Sequence, residues 1–412
     1  MTARFTAKLG SVAAALLFAS ACQSTSLRTG AIHPPAGVIT WGASAYRVGE
    51  AVADRGYRLV VHTSVAGHDA RIRLSNAFGD RPVTFDSVYA GLRRTGAELV
   101  RGSNRRLTFG GARSVTVPAG QAVLSDPLPG HLPAASDLAV SIHTPDAAGP
   151  VTGHWLGMQT SYVTSGDHTA EESAASWTKG TGSWFYLDAV SLRASRGTRA
   201  VVALGDSITD GWHSTPDRNR RWPDYLARRL QRADTGIKGV ANEGIAGNKV
   251  LADGSGPSAL DRLDRDVLSQ PGVRTVFLFE GVNDLKAHTD VTAEDLTDGY
   301  EELVQRAHAA GKCVVAATVG PFKGWSEWDQ DAEAVRQEVN TFIRTSGEFD
   351  AVTDFDRVLR SPRDPARILP AFDGGDHIHP NDRGMRAMAD AVDLKSLDCA
   401  DPDPNTDPAP KP

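Results

Sequence analysis

The stretch Arg199-Ala-Val-Val-Ala-Leu-Gly-Asp-Ser-Ile-Thr209 carries five apolar residues straight into a glycine, an aspartate and a serine. A short apolar run stopped by glycine reads as a strand buried on both faces. The glycine permits a tight turn directly off the strand. Ser207 then stands at the carboxyl edge, where backbone N–H groups of the next turn can face an oxyanion. The same rhythm continues downstream. Apolar strand candidates at Ile237–Ala241, Thr275–Phe279, Val314–Val319 and Ala351–Phe355 alternate with amphipathic stretches near Trp222–Gln231, Ala259–Leu268, Ala293–Ala310, Ala332–Thr345 and Asp382–Val392. This alternation predicts an α/β domain over residues 199–397: a five-stranded parallel sheet in a three-layer, flavodoxin-like sandwich.

Upstream the texture is different. Residues 37–192 contain short alternating runs such as Tyr57–His62, Ala70–Ser75 and Asp137–His143, separated by Gly, Pro, Asp and Asn. Period-two alternation without long helical patterns predicts an all-β, sandwich-like domain. Two domains suit a chain of 412 residues. With 44 basic against 50 acidic side chains the net charge is -6, which argues against a general nucleic-acid binder. Three cysteines are too few for a disulfide-framework scaffold.

The first residues order themselves as basic, apolar, then small: Arg4 and Lys8, an apolar run from Leu9 to Ala19, then Ser20 and Ala21. That order predicts a signal peptide over 1–21 and an exported protein. Cys22 follows a lipoprotein-like box and is a candidate for lipidation, with 22–36 as a polar tether. The expected location is extracellular, or the bacterial cell envelope as a lipoprotein. Membrane contact is then expected only through that anchor, because no later run is long and apolar enough to span a bilayer. Residues 400–412 are Pro-rich and polar, and are expected to be disordered.

In a parallel α/β sheet, chemistry collects at the carboxyl ends of the strands. After the second strand comes Asn242-Glu-Gly-Ile-Ala-Gly-Asn248, where Gly244 could present a bare N–H. After the third comes Gly281-Val-Asn-Asp284, where the Asn283 amide can donate. After the fifth comes Asp373-Gly-Gly-Asp-His-Ile-His-Pro380. Asp376 lies three residues before His379, so a tight turn can fold its carboxylate onto the imidazole. A His-x-His beside aspartates could instead bind a metal, but the sequence fixes no further ligand nearby. No metal and no cofactor are expected.

The ordered set Ser, Gly, Asn, Asp-x-x-His after successive strands resembles the SGNH hydrolases, also called the GDSL esterase/lipase family. Gly205-Asp-Ser-Ile208 stands for the family's leading motif. The runs Asn242–Lys249 and His379–Asp390 resemble the secreted bacterial branch with an N-terminal β-rich domain. The resemblance implies a catalytic triad of Ser207, His379 and Asp376. It implies an oxyanion hole from the N–H groups of Ser207 and Gly244 and the Asn283 side chain. Asp206 and Asp284 are expected to support that site. His377 is the lesser candidate for the base, and His213 and His288 could line the cleft but read first as solvated loop histidines. The implied function is an exported serine carboxylester hydrolase working through an acyl-serine. It would release acetyl or short acyl groups from carbohydrate or other small esters. A lipase or lysophospholipase is the alternative, and an inactive binding protein a lesser one. The expected partner is an ester, such as an acylated polysaccharide or a lipid, and not nucleic acid.

No Gly-x-Ser-x-Gly surrounds Ser207, so the chain does not resemble an ordinary α/β-hydrolase. Without a lid-like insertion the site should be shallow and open. Trp155, Tyr162, Trp177, Trp184, Phe185 and Tyr186 could stack on sugars, but read first as core. Trp212, Trp325 and Trp328 are candidates for cleft walls. Cys313 opens a strand at the edge opposite the site. The last helix should run back to that edge, so a Cys313–Cys399 bridge is expected to be geometrically feasible.

Overall fold

The structure is a computed structural model describing residues 37–286 and 289–399. The expected signal peptide, Cys22, the tether, His288 and the tail from 400 lie outside those residues. The described residues belong to one compact unit.

Five parallel strands form one sheet: β1 Arg199–Gly205, β2 Ile237–Gly244, β3 Val273–Phe279, β4 Cys313–Ala317 and β5 Ala351–Thr353. Their spatial order is β2-β1-β3-β4-β5. Both faces are buried because successive side chains alternate between two cores. Ala200, Val202 and Leu204 share one core with Val276, Leu278, Val314 and Ala316. Helices α4 (Ala293–Ala309) and α5 (Gln330–Thr345) supply Leu296, Tyr300, Val339 and Ile343 to it. Val201 and Ala203 join Phe277, Phe279, Val315 and Ala317 in the other core. There α2 (Trp222–Arg232) and α7 (Asp382–Ala391) contribute Trp222, Leu226, Leu230, Met385 and Met388.

Several boundaries shift by one to three residues from the sequence expectation, β2 running on to Gly244 and β4 ending at Ala317, and two differences have a clear local form. The helix begun by α3 (Ala259–Leu263) continues only as a π-helical turn, Asp264–Leu268. Strand β5 stops at Thr353 instead of reaching Phe355, because the Asp354 side chain accepts from Arg357 N at 3.0 Å and caps α6, Phe355–Leu359.

Residues 37–193 are β-rich, and every strand pair there is antiparallel. One sheet runs Val38–Gly42, Leu187–Arg193, Gly67–Ser75, Ala122–Leu124, with Leu128–Leu132 also on Gly67–Ser75. A larger one is built around Arg55–His62, Asp137–Thr144 and Ser87–Thr95. Leu59, Val61, Val140 and Ile142 of the larger sheet share a core with Ile72, Leu74 and Val190 of the other.

That core is continuous with one face of the parallel sheet, through Val38, Ile39 and Trp41 in one cluster with Ala200, Val202 and Ala241. The β-rich region also covers the outer edge of β2. Val240 N donates to Ser64 Oγ at 2.9 Å, and Gln231 Nε2 donates to Ser64 O and Lys238 O. An edge N–H that would otherwise invite another strand is thereby satisfied.

At the opposite, amino-terminal edge of the sheet, Cys313 at the start of β4 forms a disulfide with Cys399, their Cα atoms 6.5 Å apart. Thr275 Oγ1 donates to Leu397 O at 2.6 Å beside it. No helix among the described residues is long and apolar enough to cross a membrane.

Candidate active site

Strand register brings the motif loops together. Gly205 lies opposite Gly244 of β2 and Phe279 of β3, so all three strands end at one level. The β1–β3 boundary is where the strand order reverses, the expected place for a site.

Ser207 opens the short helix α1, Ser207–Asp210. The buried Asp206 carboxylate caps it, accepting from Ile208 N at 2.9 Å. Ser207 Oγ lies 2.7 Å from His379 Nε2. His379 Nδ1 lies 2.6 Å from Asp376 Oδ2, and Asp376 Oδ1 accepts from His379 N at 2.9 Å and Ile378 N at 3.2 Å. Partial burial would raise the Asp376 pKa, but the bonds from the His379 ring and backbone hold it well below the ordinary carboxylate range. Hydroxyl, imidazole and carboxylate therefore form one hydrogen-bonded chain. His377 does not join it: its Nδ1 pairs with Asp373 Oδ2 at 2.6 Å, and its side chain is half exposed.

His213 is more than a solvated loop residue. Its Nε2 lies 3.1 Å from the same Asp376 Oδ2, and its ring stacks on His379 with centroids 5.7 Å apart. Chain position gives no sign of this, because 163 residues separate His213 from Asp376. His213, Asp376 and His379 offer ligand atoms within 4.8 Å of one another, so a cation is sterically conceivable. Both His379 nitrogens are already committed, however, so a metal would have to break the Ser207–His379–Asp376 chain. Trp325 stands edge-on to His379, centroids 6.0 Å apart, as a cleft wall. Trp328 is half-buried beneath Lys323.

The oxyanion donors need one correction. Gly244 N–H is already engaged, donating to Asn242 Oδ1 at 3.0 Å. Gly244 instead allows close approach, since a Cβ there would stand 2.3 Å from Asp210 N. Three residues on, Gly247 has φ +80° and its N–H makes no hydrogen bond among the described residues. Its neighbours are pinned: Ala246 N donates to Asp210 Oδ2 at 3.0 Å, and Asn248 O accepts from Asn283 Nδ2 at 2.8 Å. Ser207 N–H is likewise unengaged, and Asn283 keeps a second amide hydrogen. Ser207, Gly247 and Asn283 are thus the available donors. Two glycines in one motif look alike in sequence, and only their hydrogen bonds separate them. Asp284 braces the same loop, accepting from Val250 N at 2.9 Å and Leu251 N at 3.1 Å.

Two buried side chains hold these loops in register, and neither is marked by a motif. Arg262 is wholly buried. It donates to Gly205 O, Glu243 O, Asn248 Oδ1, Ser44 Oγ and Glu280 Oε2 at 2.6–3.3 Å. One guanidinium therefore ties the ends of β1 and β2, the Asn248 loop and the residue after β3. His154, from the β-rich region, pairs with Asp210 Oδ1 at 2.9 Å and donates to Ser44 O at 2.8 Å. Burial disfavours its charged form, but Asp210 outweighs this and raises its pKa. Through Asp210 and Ala246 N, His154 braces both the nucleophile helix and the Gly247 loop.

Burial also pushes the Glu280 carboxyl up to about 8, against the pull of Arg262, and Asp206 up to about 7. Between the ordinary value of 4.5 and about 8, the folded protein keeps the Glu280 proton while the unfolded chain releases it. Stability therefore falls as pH rises through that window. In Glu280→Gln this proton uptake is gone, so its urea midpoint is expected to drop less than that of wild type between pH 5 and pH 8. Parallel midpoint curves for the two proteins would contradict the burial argument.

With this geometry, the match to known proteins is specific. Residues 203–387 match the GDSL-like lipase/acylhydrolase family. This part of the chain belongs to that family. That domain supports a carboxylic ester hydrolase, and the β-rich region lies outside the matched residues. Similar solved structures include a lipolytic protein of the G-D-S-L family from Desulfitobacterium hafniense, 23% identical, covering 47% of this chain and 97% of that one, TM-score 0.37. Others are the M. smegmatis aryl esterase (19%, covering 47% and 96%, TM-score 0.39) and Est24, a carbohydrate acetylesterase from Sinorhizobium meliloti (19%, covering 47% and 95%, TM-score 0.38). No curated protein matches the sequence.

Proposed function

We propose that the protein is an exported serine esterase that releases acetyl or other short acyl groups through an acyl-Ser207 intermediate. The observation that carries the mechanism is the unbroken Ser207–His379–Asp376 hydrogen-bonded chain. His379 takes the Ser207 proton as Oγ attacks the ester carbonyl, and then gives it to the departing alcohol. Asp376 holds the ring in the tautomer that leaves Nε2 free to accept, and stabilises the imidazolium. The N–H groups of Ser207 and Gly247 and the Asn283 amide receive the oxyanion. Water, activated by the same imidazole, then releases the acid and restores Ser207.

Export rests on the basic–apolar–small order of residues 1–21, with Cys22 as a proposed lipid anchor. The Cys313–Cys399 disulfide supports it, since such bonds persist in oxidising compartments. A carbohydrate ester is favoured over a lipid because the cleft beside the triad is open and carries no charged lining residue to meet a phospholipid headgroup. The similar Est24 is itself described as a carbohydrate acetylesterase. The expected result is faster turnover of p-nitrophenyl acetate than of p-nitrophenyl palmitate, with acetate released from acetylated polysaccharide by wild type and not by Ser207→Ala. Preference for the palmitate ester would favour the lipase reading instead.

A further inference from the structure

Of the eight tryptophans, six are buried or half-buried and only Trp155 and Trp212 are exposed, at 57% and 37%. Both line the same open cleft, with a volume of about 610 Å³. One wall comes from the β-rich region and the other from the loop after α1. The cleft adjoins the triad. Trp212 N donates to Ser207 O at 3.0 Å, and the Trp212 ring stands edge-on to His213, which stacks on His379.

The walls are held together deliberately. Asp217, beyond Trp212, accepts from Gln159 Nε2, Thr160 N and Thr160 Oγ1 at 2.5–2.8 Å, and its N–H donates to Met158 O at 3.0 Å. Arg221 Nη1 donates to Gly157 O at 3.2 Å. Met158, His213, Asp217 and Asn219 all have positive φ, a strain that such cross-links can maintain and that clusters at binding sites. Besides the indoles the lining holds apolar Leu156, Met158 and Pro216 together with the uncharged hydrogen-bonding Gln159, Thr160, Thr181 and Ser183. Gln159 is 3% exposed, yet its Oε1 has no hydrogen-bond partner. A buried carbonyl left in this way is costly, so this wall of the cleft is held at some expense to stability.

We propose that this cleft binds the sugar portion of the substrate, so that the β-rich region is half of the substrate site. A pyranose ring has apolar C–H faces and a hydroxyl rim, which match exposed indole faces above neutral hydroxyl and amide groups. An acyl chain would call for an enclosed apolar channel, and an anionic headgroup for a cation. This assignment rests on the esterase reading for its biological sense, but its test does not need catalysis.

Binding of xylo-, cello-, manno- and chito-hexaose to full-length Ser207→Ala is to be measured by calorimetry and tryptophan fluorescence. At least one is expected to bind, about tenfold more weakly when Trp155→Ala is added, with recovery in Trp155→Phe. In the active protein, Trp155→Ala is expected to raise KM for the acetylated oligosaccharide by a clearly larger factor than KM for p-nitrophenyl acetate. Trp155 is exposed, so its loss should spare the fold; Trp212→Ala is the second variant should it not. Absence of binding by all four sugars, or binding untouched by either tryptophan change, overturns the proposal. So does a selective loss of p-nitrophenyl palmitate hydrolysis in Trp155→Ala, which would assign the cleft to the acyl chain. Loss of all esterase activity at Ser207 variants with sugar binding intact would leave the two readings cleanly separate, and is the expected combination.

Discussion

Ser207→Ala is expected to hydrolyse p-nitrophenyl acetate on the order of 10⁴-fold or more slowly than wild type, with little change in KM. The reason is geometric. The hydroxyl is already 2.7 Å from its base and the base 2.6 Å from its carboxylate, so one substitution removes a pre-assembled unit. His379→Ala is expected to cost a similar factor, because without the imidazole the hydroxyl is a poor nucleophile at neutral pH. The double variant should be no worse than either single one, since members of such a chain act together. His377→Ala serves as the internal control. It pairs with Asp373 and should keep near wild-type activity. If His377→Ala were inactive and His379→Ala active, the base would be misassigned.

Arg262→Met is expected to show the largest loss of stability, about 3–5 kcal/mol, read as a fall in the urea midpoint. The side chain has no exposure and five hydrogen-bonded acceptors, and it stands among Glu280, Asp266 and Glu243. Removing the guanidinium leaves buried carbonyls unpaired and Asp266 without its buried counter-charge. Arg262→Lys keeps the charge but lacks the planar fork, so it should fall between the two. Activity should fall as well, because Gly205 O and Asn248 Oδ1 anchor the loops that carry Ser207 and Gly247. An unchanged midpoint in Arg262→Met would mean that other contacts hold these loops.

Much of this arrangement is legible in the chain alone, for identifiable reasons. The alternation of β1, β2 and β3 with their helices is written in apolar runs that end at glycine or at the motif loops, so the sheet could be read directly. Asp376 and His379 could be paired because three residues on a tight turn determine their distance. What could not be read depends on long-range neighbours. Gly244 and Gly247 differ only in which N–H is free, and that depends on Asn242 Oδ1 and on the Asp210 backbone. Arg262, His154 and His213 sit in no motif, and their partners lie on other segments of the chain. Trp155 reads as one more core aromatic among Trp177, Trp184 and Tyr186. Those three are buried, whereas Trp155 projects from a loop at the cleft.

The central claim is that Ser207, activated by His379, is the nucleophile. Reaction with a fluorophosphonate, followed by peptide mass spectrometry, tests it most directly, because the reagent traps the activated serine as a stable phosphonyl ester. The expected result is one adduct on the peptide containing Ser207, coincident with loss of esterase activity and absent in His379→Ala. Full inactivation with the adduct on a different residue, or undiminished hydrolysis by protein labelled at Ser207, would contradict it.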